Sequence, residues 1–342
     1  MTRLALSEGE VQALRSLARE IASRHESSED PGFLRQVAVY AHELPRRIRV
    51  FLSEFRLGEP DDALCSFLGY PIDEEKIGPT PTHWKFKRPR APELEEEIVL
   101  LLLGSLLGDS IGWATQQDGH IVHDILPIPG HEGEQLGSGS EQLLWWHTED
   151  AFHPCRGDYL GMMCLRNPDG VATTFAAVRD LDRDLTAEQI RLLLEQHYTI
   201  RPDESHLQKN RSQAAPMDDG LSGSYHRIDS MNQAPEKIAI LYGDPKAPYI
   251  RIDPYFMDPV ADHKPAQAAL EALIAVLDQR LSDQVLQQGE ICFIDNFRAV
   301  HGRKPFKARY DGKDRWLKRI NIARDLRKSR PARSAAESRI IF

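Results

Sequence analysis

Eight short runs, each rich in Val, Ile, Thr or aromatic residues and each closed by Gly, Pro, Asn or Asp, limit the fold more than any other feature of the sequence. They cover Ile121–Ile125, Leu143–His147, Tyr159–Leu165, Thr173–Val178, Ile238–Tyr242, Tyr249–Ile252, Glu290–Ile294 and Trp316–Ile322. Short strands punctuated in this way build sandwiches and barrels. Helical spacing lies mostly outside them. Val11, Leu14, Leu17 and Ile21, then Phe33, Val37 and Tyr40, then Ile48, Phe51 and Phe55 predict two or three helices within residues 8–58. Further helical pattern covers Leu94–Leu107, Thr186–Gln196 and the amphipathic Pro265–Gln287, expected to back the sheet. The fold class is therefore mainly β with helices: a jelly-roll (double-stranded β-helix) core decorated by N-terminal helices and one late inserted helix. A single domain is expected over 1–342, with a helical part at 1–110, the jelly roll at 111–325 and a basic tail at 326–342. The polar, aperiodic stretch 203–234 is expected to be a structureless lid.

Composition removes several classes of function. With 342 residues, 41% hydrophobic and 28% charged, the chain can bury a sizeable core as a soluble globular protein. Its most apolar stretch, Ile98–Leu107, is ten residues interrupted by Gly104 and Ser105, short of the ~20 needed to span a bilayer, so it reads as a buried helix and no membrane partner is expected. The N-terminus alternates charged and apolar residues without an uninterrupted apolar region, so a cytoplasmic location is expected. Cys65, Cys155, Cys164 and Cys292 form no CxxC pair and read as reduced, packed thiols. A net charge of −9 disfavours nucleic acid as partner. From His301 to Phe342 there are fourteen Lys or Arg against four Asp or Glu, but without interleaved aromatics this tail reads as solvated surface.

The sharpest local pattern is His147-Thr148-Glu149 at the end of a strand-like run. Residues i and i+2 of a strand share a face, so an imidazole and a carboxylate would point together. His301, ending another such run where Gly302 lets the backbone turn, offers a third donor. Two imidazoles and one carboxylate leave open positions on a metal, the arrangement of non-haem Fe(II) oxygenases. Arg315 and Arg319 would share a strand face about 13 Å apart at ~3.3 Å per residue, so each could meet a different carboxylate. The alternative for the pair is a basic surface strand.

The runs LLWWHTEDAFHPCRGDYLGMMCLRNPDGVATT, GEICFIDNFRAVHGRKPF and RWLKRIN resemble the clavaminate-synthase-like Fe(II)/2-oxoglutarate-dependent oxygenases, close to the free arginine and lysine hydroxylases of peptide-antibiotic pathways. The resemblance covers most of residues 95–325. It implies that His147, Glu149 and His301 ligate Fe(II), and that Arg315 grips the distal carboxylate of the co-substrate 2-oxoglutarate, helped by Thr173 or Thr174. It further implies that Arg319 takes the substrate α-carboxylate, while Gln116 and Glu149 contact its α-amino group. Asp150 and His153 are expected to be structural, because neighbours on a strand face apart.

The same resemblance implies a dioxygenase that uses O2 to decarboxylate 2-oxoglutarate and hydroxylate an unactivated C3 or C4 of a free basic amino acid. In YIRIDPYFMDP, Asp253 stands where arginine hydroxylases present paired acids, but Tyr255 occupies the second position. One carboxylate flanked by aromatics suits a compact ammonium, so lysine is expected first, then arginine, ornithine or citrulline. Asp253 could also be a simple turn acid before Pro254. A desaturase or cyclase would share every residue named, and a non-enzymatic jelly-roll binding module is a rival from another class.

Overall fold

A computed structural model describes residues 2–212 and 217–342. Its larger sheet has eight strands, in the order Thr2–Ala5, Leu64–Leu68, Ile291–Asp295, Tyr159–Arg166, Trp316–Ala323, Asp109–Trp113 and Ile340–Ile341, with Val122–Ile125 also paired to Trp316–Ala323. The smaller sheet runs Ser282–Gln284, Thr173–Ala177, Ala299–Arg303 and Leu144–His147. Leu160, Met162, Cys164, Cys292, Ile294 and Leu317 of one sheet meet Phe175 and Ala299 of the other, which is the interior of the expected jelly roll.

Both faces of the larger sheet are buried, and strand alternation explains how. On Tyr159–Arg166, Leu160, Met162 and Cys164 point between the sheets, while Met163 and Leu165 pack outward under the helix Leu94–Ser105. That helix is apolar on every side from Ile98 to Leu103 because it is wholly covered, by the sheet on one side and by the N-terminal helices on the other. On Trp316–Ala323 the outward residues are Trp316, Lys318, Ile320 and Ile322, which leaves Arg315, Leu317, Arg319 and Asn321 facing the interior. Lys318 is fully buried, and Glu93, Glu97 and Asp124 surround its ammonium at 3.0, 2.8 and 2.5 Å. The smaller sheet is backed by the helix Lys264–Arg280 through Leu270, Leu273 and Leu277.

Several expectations need correction. The segment 203–234 is not structureless. It holds two short turns of 3₁₀ helix and the helix Asp219–Gln233, although its residues 213–216 lie outside the described residues. Ser224, Tyr225 and Ile228 of that helix are buried, so its packing outweighs a Gly- and Ser-rich composition. The part assigned to N-terminal helices has three of them, but it also sends Thr2–Ala5 and Leu64–Leu68 into the larger sheet. Nor is the tail simply a solvated surface, since Ile340–Ile341 pairs with Gly112–Trp113 and Arg333 is buried under five backbone carbonyls. All four cysteines are free thiols, three of them buried. No helix among the described residues is long and apolar enough to cross a membrane.

Candidate active site

The mouth between the two sheets opens into a cavity of about 1190 Å³, reaching out to its rim. His147, Glu149, His301, Gln116, Thr173, Asp253, Tyr255, Arg315 and Arg319 all line it. Of the expected site residues only Thr174 is turned away. It follows Thr173 on the strand and so faces the opposite side, with its hydroxyl beside Gly302.

The three expected metal donors converge. His147 Nε2 lies 3.6 Å and His301 Nε2 3.3 Å from Glu149 Oε2, and the donor atoms all fall within 4.8 Å of one another. His147 and His301 are direct partners across antiparallel strands, so the sheet itself sets their spacing. His147 Nδ1 lies 2.7 Å from the Trp145 carbonyl, which fixes its proton there and leaves the Nε2 lone pair pointing inward. Burial opposes charge on His147, yet the Glu149 hydrogen bond and the Asp253 and Glu149 carboxylates outweigh it and raise its pKa to about 9. Two imidazole nitrogens and a carboxylate oxygen, gathered in a buried pocket at this spacing, fit a single divalent ion.

Two details of the sequence argument change here. Glu149 is not on the strand, which ends at His147. It sits in the turn that follows, and the chain is pinned there because Thr148 bonds the Ile252 backbone while Asn296 Oδ1 accepts the Glu149 N–H at 2.7 Å. Gly302 makes no turn either, being inside the strand Ala299–Arg303. A Cβ there would stand 2.5 Å from the Leu144 carbonyl oxygen and 3.0 Å from the Trp146 nitrogen, at the point where register shifts between His301 and Arg303. Glycine is needed so that the two histidine-bearing strands can approach.

Deeper in, Arg315 Nη2 donates to Thr173 Oγ1 at 3.5 Å. Arg319 Nη1 pairs with Glu149 Oε1, the carboxylate that the family resemblance also offers to the substrate amine, and Nη2 donates to Gln116 Oε1 at 3.1 Å. The Nε atoms of both arginines are buried without a hydrogen-bond partner. Buried guanidinium donors left open in a cavity suit carboxylate ligands. Burial lowers the Arg315 pKa to about 10, which keeps it charged at neutral pH.

At the other end stands Asp253, buried, its Oδ1 accepting the Tyr255 and Phe256 backbone N–H groups at 3.2 and 3.4 Å. It is thus both a turn acid and a cavity wall. Tyr255 is half exposed at the rim, its ring edge-on to Phe256. Asp203, from the segment expected to be a lid, also lines the cavity, and the sequence reading had no reason to pair it with a residue fifty positions away. Burial first, and then the Asp203 charge, push the Asp253 carboxyl up to about 6 against the pull of His147. The acidic partner that the sequence lacks at position 255 therefore arrives from position 203.

Asp150 also faces the cavity, contrary to the alternation argument, because it lies in the turn with φ 51° and not on a strand. Its oxygens accept from Trp113 Nε1 (2.6 Å), Asn321 Nδ2 (3.1 Å) and His206 Nε2 (3.0 Å). Asp150, Asp203 and His206 form a second cluster of donor groups, but these hydrogen bonds already occupy Asp150. His153 is structural, as expected, edge-on to Trp113.

The family described as "Taurine catabolism dioxygenase TauD, TfdA family" matches residues 98–321. The chain belongs to this family. It is accordingly an iron(II)- and 2-oxoglutarate-dependent dioxygenase, as its donor set and paired arginines suggest. It is 46% identical to the enduracididine beta-hydroxylase of Streptomyces hygroscopicus and 46% identical to the L-ornithine/L-arginine 3-hydroxylase of Catenulispora acidiphila, in each case over 100% of both chains. The solved structure of the non-heme iron oxygenase OrfP in complex with Fe, succinate and (3S)-hydroxy-L-Arg superposes with a TM-score of 0.94 at 45% identity, again over 100% of both chains. Proteins named lysine 3- or 4-hydroxylases match at 26–30% identity. The expected class, hydroxylases of free basic amino acids, agrees with these relatives. The expected order, lysine ahead of arginine, does not, because the more similar ones are named for guanidino substrates and for ornithine.

Proposed function

We propose that this dioxygenase hydroxylates C3 of free L-arginine or a close guanidino analogue, with Fe(II) held by His147, Glu149 and His301. The observation that carries the arginine reading is the pair of carboxylates, Asp253 and Asp203, facing one cavity whose opposite end holds Arg319. A guanidinium presents several donors in a fixed fork and can engage two acids, whereas one ammonium is served by one. The names of the more similar relatives favour the same choice.

In this reading Arg315 and Thr173 bind the distal carboxylate of 2-oxoglutarate. Arg319 takes the amino acid's α-carboxylate, while Gln116 and Glu149 accept from its ammonium. Anchoring both groups beside Glu149 leaves C3, one bond from the α-carbon, nearer the metal donors than the carbons leading away to Asp253. Bound there, Fe(II) with 2-oxoglutarate and O2 supplies the chemistry that exchanges an unactivated C–H for C–OH and releases succinate and CO2. The chain's contribution is positioning, and an error of ~1 Å would move the reaction to another carbon. Asp203 and Ser205 extend the wall that shields this reaction from water.

The test is anaerobic loading with Fe(II) and 2-oxoglutarate, then exposure to air with each of the twenty amino acids, ornithine and citrulline. Succinate release coupled to +16 mass on arginine, with the hydroxyl on C3, is the expected outcome. Faster coupled turnover of lysine, or loss of two hydrogens instead of gain of oxygen, would overturn it.

A further inference from the structure

We infer that His123, which does not line the cavity, is the positioning residue that aims Arg319 at the substrate α-carboxylate. The inference rests on the reading of Arg319 given above. His123 lies directly opposite Arg319 across the antiparallel pair Val122–Ile125 and Trp316–Ala323. It is 2% exposed. Its Nε2 lies 2.9 Å from the His120 carbonyl oxygen and its Nδ1 lies 2.8 Å from Arg319 Nη2. A carbonyl only accepts, so Nε2 carries the proton and Nδ1 presents a lone pair. That lone pair accepts from the guanidinium. Burial and the Arg319 charge both hold the imidazole well below its usual pKa, in keeping with the neutral ring this geometry needs.

The seat of His123 is itself fixed. Glu29 Oε1 accepts the N–H groups of Ile121 and Val122 at 3.1 and 3.0 Å, and its Oε2 lies 2.9 Å from His120 Nδ1. The carbonyl that orients His123 thus belongs to a residue held at both backbone and ring. Arg319 needs such a support. Its Nη1 is drawn to Glu149, a proposed metal ligand, and without a counterweight on Nη2 the guanidinium would lean toward that carboxylate. Gln116 supplies one acceptor on Nη2, but its amide also answers to Ser205, so it can shift with the 203–206 turn. His123 is the acceptor tied to the sheet.

The ring atoms suggest their own controls. The Oδ1 of asparagine can occupy the place of Nδ1, whereas the amide of glutamine reaches toward Nε2. His123→Asn should therefore keep the contact with Arg319, and His123→Leu and His123→Gln should lose it. Steady-state kinetics would use L-arginine and its α-carboxamide, which lacks the negative charge that Arg319 reads. The expected result is a KM for L-arginine raised about tenfold in the Leu and Gln variants and restored to within about twofold by Asn, as for one hydrogen bond to a charged group with Gln116 still present. The KM for 2-oxoglutarate and the kcat at saturation should stay near wild type. For the carboxamide, all variants should match wild type. If the Leu variant is too unstable to purify, the Gln and Asn pair carries the test alone. An unchanged KM for arginine, an equal loss with acid and amide, or no difference between Asn and Gln would overturn the role of His123. Wild-type enzyme that handles the carboxamide as well as the acid would instead overturn the reading of Arg319, and with it this proposal.

Discussion

Asp203→Asn isolates the charge that favours a guanidinium substrate. Asp203 Oδ1 accepts from the Ser205 N–H at 2.9 Å and the Ser205 hydroxyl at 2.5 Å, and asparagine can keep both while losing the negative charge. The remaining oxygen is free to meet a guanidinium. A hydrogen bond to a charged group contributes ~1.5–3 kcal/mol, and one-fifth exposure of the side chain places this one toward the lower end. Loss of ~1.5–2 kcal/mol is about a 10- to 30-fold fall in kcat/KM for arginine. Citrulline, whose neutral ureido group has nearly the same shape, should lose little, so the ratio of arginine to citrulline kcat/KM falls by the same factor. Competition between the two substrates, read by product mass, measures that ratio directly. Equal losses on both would mean that Asp203 only positions its own segment, and an unchanged ratio would refute the paired-acid account.

Three further outcomes follow from the packing around the site. Lys318→Met should cost about 3–5 kcal/mol in chemical denaturation, because it leaves Glu93, Glu97 and Asp124 buried without their ammonium, and a wild-type midpoint would contradict this. Burial pushes the Glu97 carboxyl up, but Lys318 and Lys87 overcome it and bring it to about 2, and Lys87 with His120 likewise holds Glu29 well below the ordinary value. A depressed folded pKa stabilises above the unfolded value of 4.5 and is lost as pH falls toward 2, so unfolding free energy should drop across that window and stay flat from pH 5 to 6.5 as far as these two groups are concerned. Gly302→Ala should weaken Fe(II) binding roughly 10- to 100-fold, by forcing His301 away from the strand that bears His147, and unchanged metal affinity would count against the close-approach argument.

The parts of this protein that were legible in its sequence are those governed by short-range rules. Alternation and turn residues marked the strands from Val122 to Ala323, and the HTE tripeptide with His301, Arg315 and Arg319 marked the chemistry. Ala299–Arg303 went unread as a strand because Gly302 looks like a turn residue, when its missing side chain in fact lets a neighbouring strand in. Asp219–Gln233 went unread as a helix because Gly, Ser and Asn dilute its pattern, although Leu221, Tyr225 and Ile228 recur at helical spacing and could have signalled it. Asp203 and His123 carried no local signal at all. The first matters because the chain returns to the cavity fifty residues before Asp253, and the second because register sets it opposite Arg319.

Everything in this account depends on one Fe(II) held by His147, Glu149 and His301. Anaerobic equilibrium dialysis of wild type and of His147→Ala, Glu149→Ala and His301→Ala, each checked for an unchanged fold, addresses it directly. One iron per wild-type chain and loss of tight binding in all three variants is the predicted result. Stoichiometric iron retained at wild-type affinity by any one of them would contradict it.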